Sequence, residues 1–201
     1  MAAKRGVIEF WYDFASTYSY LSAMRIEALA ERAGVRVNWR PFLLGPIFQA
    51  QGWSTSPFNL YPAKGRYMVR DIERLAGERG LTFKLPGAFP ARSLLPARVA
   101  LALHEQERLP DYTRAVFLAE FSSGADIADR GTQQKLLAGL GLDATKCLSE
   151  AETPENKEKL RRQTLTAQNL GIFGAPSFIV GNQELFWGDD RLEQAIAWAK
   201  S

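Results

Sequence analysis

Two serines, Ser16 and Ser19, stand three residues apart where an apolar run, Val7 to Tyr12, gives way to a helix-like pattern. A hydroxyl at a strand-to-helix seam has two uses. It can cap the helix by accepting one of the first unpaired backbone N–H groups. It can also donate a hydrogen bond to an anion drawn to that end of the helix. Few other groups have chemical reach. One cysteine, Cys147, and one histidine, His104, serve all 201 residues, too few for a disulfide framework or a soft-ligand zinc site. Ser16 has no G-x-S-x-G around it and only His104 as a base, which sets aside a serine hydrolase. Cys147 has no second thiol for a disulfide relay. His104, in a helical run from Val99 to Glu107, reads as a surface or packing residue.

The elements that must position Ser16 follow from periodicity. Val7-Ile8-Glu9-Phe10-Trp11-Tyr12 is nearly continuous apolar and aromatic, as a central strand covered on both faces would be. Leu21, Met24 and Ala28 recur at helical spacing and predict one helix from Tyr18 to Ala33, stopped by Gly34. Val35 to Arg40 alternates and ends at Pro41, a strand with one open face. Strand, helix and strand in so short a span make a βαβ unit with parallel strands. Eight of the ten prolines then lie between Pro41 and Pro110, punctuating the approach to a set of helices. Met68, Ile72 and Leu75 mark one helix, and Leu136, Leu137 and Leu140 another. Thr153-Pro154 reads as an N-cap and first residue of a polar helix reaching about Leu170.

After Gly171, Ser177 to Val180 and Leu185 to Trp187 predict a hairpin through a two-residue Gly181-Asn182 turn. Leu192, Ala195, Ile196 and Ala199 share one face of a closing helix, and Asp190 to Glu193 has capping-box spacing. The expected order is βαβ, a helical block, then ββα. That is one α/β sheet unit, residues 1–43 and 171–201, interrupted by an all-helical insertion, residues 44–170.

Composition is that of a globular chain, 46% hydrophobic and 23% charged, which argues against disorder. Basic residues number 25 and acidic 22, a net charge of +3. The signs mix along the chain, as in Arg70-Asp71 and Glu155 to Arg162, so they read as solvated helix faces and no nucleic-acid partner is expected. Lys4 and Arg5 precede an apolar run broken by Glu9 and Asp13, too short for a signal-peptide core, and no segment nears membrane-spanning length. A cytoplasmic protein without a membrane partner is expected.

The order βαβ…ββα is the thioredoxin topology, whose redox members carry C-x-x-C at the seam; here Ser16-Thr17-Tyr18-Ser19 stands there. "FWYDFASTYSYL" resembles the opening of 2-hydroxychromene-2-carboxylate isomerases and kappa-class glutathione transferases, within the DsbA-like branch. "TSPFNLYPAKGRYMVRDIERL", "GIFGAPSFIVG" and "FWGDDRLE" agree in the same order along the chain. One departure is Thr17, where that family has proline.

The resemblance implies glutathione as cofactor, a small aromatic substrate, and a homodimer by analogy. It implies that Ser16 donates to the glutathione thiolate, the nucleophilic form of the thiol. Ala175-Pro176 would carry a cis bond and pair with the cysteinyl part of glutathione. Asp189 and Asp190 would lie near its γ-glutamyl end, and Lys64 would serve a carboxylate of glutathione or substrate. For the family's loop asparagine, Asn59 and Ser54 are both open. Aromatic residues are core by default, though Phe10, Trp11, Tyr18 or Trp187 could wall an aromatic substrate. The activity implied is glutathione-dependent interconversion of 2-hydroxychromene-2-carboxylate and trans-o-hydroxybenzylidenepyruvate in aromatic-compound catabolism. The alternatives are a kappa-like glutathione transferase or peroxidase, and a thioredoxin-fold binding protein without catalysis.

Overall fold

The computed structural model describes residues 6–103 and 107–200; His104 lies outside the described residues. Strand β1 (Val7–Tyr12) is central in a four-stranded sheet of order β2-β1-β3-β4, with β2 (Arg36–Pro41), β3 (Ser177–Val180) and β4 (Glu184–Trp187). β1 and β2 are parallel, Val7 opposite Arg36 and Tyr12 opposite Pro41. β3 is antiparallel to both β1 and β4. The nearly continuous apolar character of β1, interrupted only by Glu9, follows from cover on both faces. Phe10 and Tyr12 point to one face, where Phe10 meets Trp39 at 5.1 Å and Phe178 at 5.6 Å between ring centroids. Trp11 points to the other face and packs with Phe42, Ile47 and Ile179.

Helices α1 (Thr17–Ala23) and α2 (Ile26–Ala33) follow β1. Between β2 and β3 come α3 (Leu44–Ala50), α4 (Pro57–Leu60), α5 (Pro62–Glu78), α6 (Leu94–Ala102), α7 (Leu109–Phe121), α8 (Arg130–Gly139), α9 (Ala144–Ala151) and α10 (Pro154–Asn169). A 3-10 turn, Asp189–Arg191, leads into α11 (Leu192–Lys200). The element order is the one expected. Local chemistry sets several helix starts. Asp129, Asp143 and Thr153 accept from the backbone N–H of Thr132, Lys146 and Asn156 at 2.7, 2.9 and 3.2 Å, and proline opens α5, α7 and α10. Gly34 ends α2 in the left-handed region at φ 71°, a conformation glycine adopts without penalty. Among the described residues, no helix is long and apolar enough to cross a membrane.

Three local expectations are corrected. The single helix from Tyr18 to Ala33 is two, broken at Met24 and Arg25, and Ala28 is exposed while Ile26 and Ala30 take the buried face. The break turns the Arg25 guanidinium toward Asp189 and Glu193, which a continuous helix would not do. The hairpin loop has three residues, Gly181 to Gln183, because the register pairs Val180 with Glu184; Gly181 and Gln183 both take positive φ. The capping box at α11 is absent. Glu193 is drawn to Arg25, Asp190 pairs with Arg191 at 3.4 Å, and the 3-10 turn supplies the helix start instead.

Helix α7 locks the seam to the helical block. Tyr12 hydroxyl and Thr113 Oγ1 are 2.7 Å apart, and burial pushes the Tyr12 phenol far up. Phe117 packs on Phe14 at 5.2 Å and Phe121 on Tyr20 at 5.6 Å. The same helix buries Glu120 completely, and neither carboxylate oxygen has a hydrogen-bond partner. Burial first, then the charges of Asp13 and Asp126, push its carboxyl well above the usual range. A carboxyl held protonated in the fold but released in the unfolded chain makes the unfolded state bind fewer protons. Its contribution is therefore complete below the ordinary carboxylate range and is lost as pH rises. Glu120→Gln, which carries no such proton, should match the parent near pH 4 and exceed it increasingly toward pH 7, by at most about 1.4 kcal/mol per pH unit. Urea unfolding of both proteins across that range measures it. A difference that stays constant with pH would show that Glu120 is not held protonated.

Candidate active site

The seam is built by Asp13. Its Oδ1 accepts the Ala15 N–H at 2.9 Å and its carbonyl accepts the Ser16 N–H at 3.0 Å, an aspartate-headed turn that ends β1 and aims the chain into α1. Its Oδ2 accepts the Leu44 N–H at 2.6 Å, and the Ser93 side chain adds a further hydrogen bond. The carboxyl is nonetheless raised, because burial outweighs these bonds. Sequence reasoning missed Asp13 as a positioning group. The signal was present in an acid closing an apolar strand two residues before Ala15.

Ser16 does both jobs that its place allows. Its backbone is extended, φ −101° and ψ 113°, and its Oγ accepts the Ser19 N–H at 3.1 Å as the N-cap of α1. The same hydroxyl donates to the Ala175 carbonyl at 3.0 Å. At 8% exposure it is buried at the seam, with only a small edge open to solvent. Thr17 opens α1 and is buried, so the helix starts directly after Ser16 without a proline. Ser19 is buried with its Oγ unpartnered.

Opposite Ser16, the Ala175-Pro176 peptide is cis. The loop around it is pinned. Ser177 Oγ donates to the Gly174 carbonyl at 2.8 Å, and the Gly188 N–H donates to the Pro176 carbonyl at 3.0 Å. Trp187 lies over Gly174 so closely that a Cβ there would come within 2.4 Å of its Nε1, which explains a glycine immediately before Ala175. Trp187 and Phe173 are both about half exposed, with ring centroids 4.9 Å apart. Phe10 and Trp11 are buried and form no substrate wall. Tyr18 is half-buried and donates to Asp71 Oδ2 at 2.8 Å, joining α1 to α5. Burial and that carboxylate raise its phenol.

The other residues singled out in the sequence fall in three situations. Lys64 is exposed in the first turn of α5, 5.0 Å from the Tyr61 ring centroid. Asn59 is exposed and donates to Thr55 Oγ1 at 3.1 Å, and Ser54 is exposed. Asp190 is exposed, but Asp189 is not. At 3% exposure its carboxylate takes the Ser22 hydroxyl at 2.8 Å, Arg25 at 3.3 Å and Arg79 at 2.7 Å. Asp189 therefore already has its counter-charges, and of the two aspartates only Asp190 offers a carboxylate to a ligand ammonium. Arg25 and Arg79 were not legible in the sequence. Cys147 is buried on α9, and burial pushes its thiol up, the signature of an inert thiol.

The family model of the DSBA-like thioredoxin domain matches residues 7–196. This chain belongs to that family. A 2-hydroxychromene-2-carboxylate isomerase of Sphingobium xenophagum is 29% identical over 187 residues, covering 92% of this chain and 94% of that protein. Glutathione S-transferase kappa 1 of Rattus norvegicus is 26% identical over 203 residues, covering 93% and 88%. A solved structure of a 2-hydroxychromene-2-carboxylate isomerase has a TM-score of 0.87 at 23% identity, covering 96% of this chain and 93% of that one. Within the DSBA-like fold, a serine and a carbonyl face each other here, and the only cysteine sits elsewhere.

The Asp189 cluster joins α1, α2, α5 and the turn before α11. Asp189→Asn keeps the shape but leaves Arg25 and Arg79 without this charge partner. Breaking a buried pair costs about 3–5 kcal/mol. Because the arginines are partly exposed, the expected loss is smaller, about 2–3 kcal/mol. Denaturant unfolding checks it; a loss within the range of an ordinary surface substitution would mean that Glu193 and solvent take over both arginines.

Proposed function

We propose that this chain is a glutathione-dependent isomerase that interconverts 2-hydroxychromene-2-carboxylate and trans-o-hydroxybenzylidenepyruvate. The observation that carries the reading is the Ser16 hydroxyl held 3.0 Å from the Ala175 carbonyl at the strand-to-helix seam, in a chain similar along nearly its whole length to an isomerase of that name. Glutathione, when bound, supplies the thiol that adds reversibly to the conjugated substrate and leaves again unchanged.

The residues present suit that cofactor. A backbone donor of the ligand that took the Ala175 carbonyl would release the Ser16 proton. The hydroxyl could then donate to a thiolate while its oxygen still caps α1. A serine suits this task better than a cysteine would, because it holds the anion without competing as a nucleophile. Lys64, exposed and 5.0 Å from the Tyr61 ring centroid, offers a cation for a carboxylate. Asp190 offers the carboxylate for an ammonium. Asp189 supports the site from behind, by fixing α1 through Ser22 and Arg25. Asn59, exposed on α4, offers an amide that would turn from Thr55 to a ligand. The half-exposed Phe173–Trp187 pair, beside Gly174, gives an aromatic surface next to the thiol position. The same reading puts the protein in aromatic-compound catabolism in the cytoplasm, where one buried thiol stays reduced.

A second reading, a kappa-like glutathione transferase, is favoured by the match to the rat enzyme. It uses the same Ser16 and differs in what becomes of glutathione. The test follows 2-hydroxychromene-2-carboxylate by its ultraviolet spectrum, with free glutathione assayed alongside. The expected result is conversion that requires glutathione and leaves its concentration constant. Ser16→Ala should lower kcat by about 10²–10³-fold, the usual loss of a preorganised donor to an anion. Loss of the cap costs only about 1 kcal/mol of stability, so the variant remains folded for assay. Conversion with consumption of glutathione favours the transferase, and undiminished turnover in Ser16→Ala removes Ser16 from the chemistry.

A further inference from the structure

Between α3, α6 and α10 lies a cavity of about 320 Å³, within the roughly 300–1,000 Å³ of sites for small organic ligands. Leu43 and Pro46 form one wall, Leu94 another, and Leu160 and Leu165 the third. Leu94 and Leu165 are each 43% exposed, so the chain does not itself cover this apolar lining. Three cations complete it, Arg98, Lys157 and Arg161, and no acidic residue joins them.

Neighbouring carboxylates do not cancel that charge. Glu152 is shared between Arg98 at 3.3 Å and Lys157 at 3.1 Å. Glu158 is shared between Arg161 at 2.7 Å and Arg162 at 3.8 Å. Two carboxylates thus serve three lining cations, and one of the two is shared further with Arg162 outside the cavity. In addition, Nε of Arg98 is buried without a hydrogen-bond partner. A buried donor left unpaired is costly, and an anion that reaches it gains a charge-assisted bond. Apolar walls with a few converging polar groups are the general form of a small-molecule site.

We infer that this cavity is a second ligand site, one that takes an organic anion with a compact apolar body, such as a bicyclic arene carboxylate. The body lies against the leucines and the carboxylate turns to Arg98, Lys157 and Arg161. Neither Ser16 nor Ala175 nor Pro176 lines the cavity, so the site does not depend on the glutathione chemistry proposed above. Its charge selects against an uncharged ligand of the same shape, and its apolar walls select against a small inorganic anion.

The probe is 1-naphthoate, titrated by calorimetry into the parent protein and into Leu165→Glu and Arg161→Gln, with 1-naphthalenemethanol as the uncharged comparison. Both substituted positions are solvent-facing enough to spare the fold, which thermal unfolding verifies. The parent should bind one equivalent of naphthoate. Leu165→Glu, which sets a carboxylate against the ligand's own, should weaken it by about tenfold or more, and Arg161→Gln by a smaller factor. The alcohol should bind more weakly than the acid, and Ser16→Ala should bind naphthoate like the parent. No binding to the parent overturns the inference, and so does binding that neither Leu165→Glu nor Arg161→Gln alters. If the parent sediments as a dimer that Leu165→Glu dissociates, without naphthoate binding, a second copy covers this face and the inference falls.

Discussion

Everything at the seam depends on closing a long loop. Ser16 and Ala175 are 159 residues apart and meet at 3.0 Å. That contact exists only because β3 returns from the far end of the chain to lie against β1. The pairing sets Phe10 opposite Phe178 and Trp11 opposite Ser177, which brings the residues just before β3 level with the end of β1. A slip of one residue would turn Phe178 to the wrong face and move Ala175 away from Ser16. The aromatic packing on β1 is therefore also what fixes the register of the site. Core and chemistry are specified by the same side chains.

The frame was legible in the sequence wherever one local rule sufficed. The nearly continuous apolar run of β1, the glycine after α2 and the Thr153-Pro154 start of α10 each act within a few residues, and each is found in place. The seam serine was legible for the same reason, since an N-cap and a helix-end donor share one position. What failed had a partner far away. The break after Ala23 has no local cause in propensity; it follows from Arg25 reaching Asp189, 164 residues on. Glu193 looked like half of a capping box until the same arginine claimed it. Asp189 and Asp190 are adjacent and identical in type, yet one is buried among arginines and the other lies in solvent. No spacing rule separates them, because the difference is made by Ser22 and Arg79.

The buried acids illustrate the same division. Asp13 and Glu120 are both raised by burial, but Asp13 accepts two backbone N–H groups and a serine side chain, while Glu120 has no partner for either oxygen. One acid organises a turn, and the other sits inside a helix bundle where burial disfavours its charged form. The charge of Asp13 contributes to the shift of Glu120, so the two are linked electrostatically across the joint between sheet and helical block. A carboxyl that shapes the backbone is thus kept close to one whose ionisation the same low-polarity surroundings oppose.

Replacing the seam thiol by a hydroxyl changes what the fold can be asked to do. A cysteine at this position would act as nucleophile and leaving group itself, which requires a second thiol within reach. Cys147, the chain's single thiol, is buried on α9 with its acidity lowered, so it cannot serve that role. A hydroxyl can only hold and donate, and Ser16 is held by two bonds of opposite sense, accepting from Ser19 and donating to Ala175. The acceptor side costs nothing when a ligand arrives, because the cap remains. Only the donor side must change partners, from a neutral carbonyl to an anion, and hydrogen bonds to charged acceptors are stronger than those to neutral ones. The exchange therefore runs toward the ligand, provided that the Ala175 carbonyl finds another donor. An extended ligand backbone supplies one at the same moment, which makes the serine and the carbonyl opposite it a single binding element.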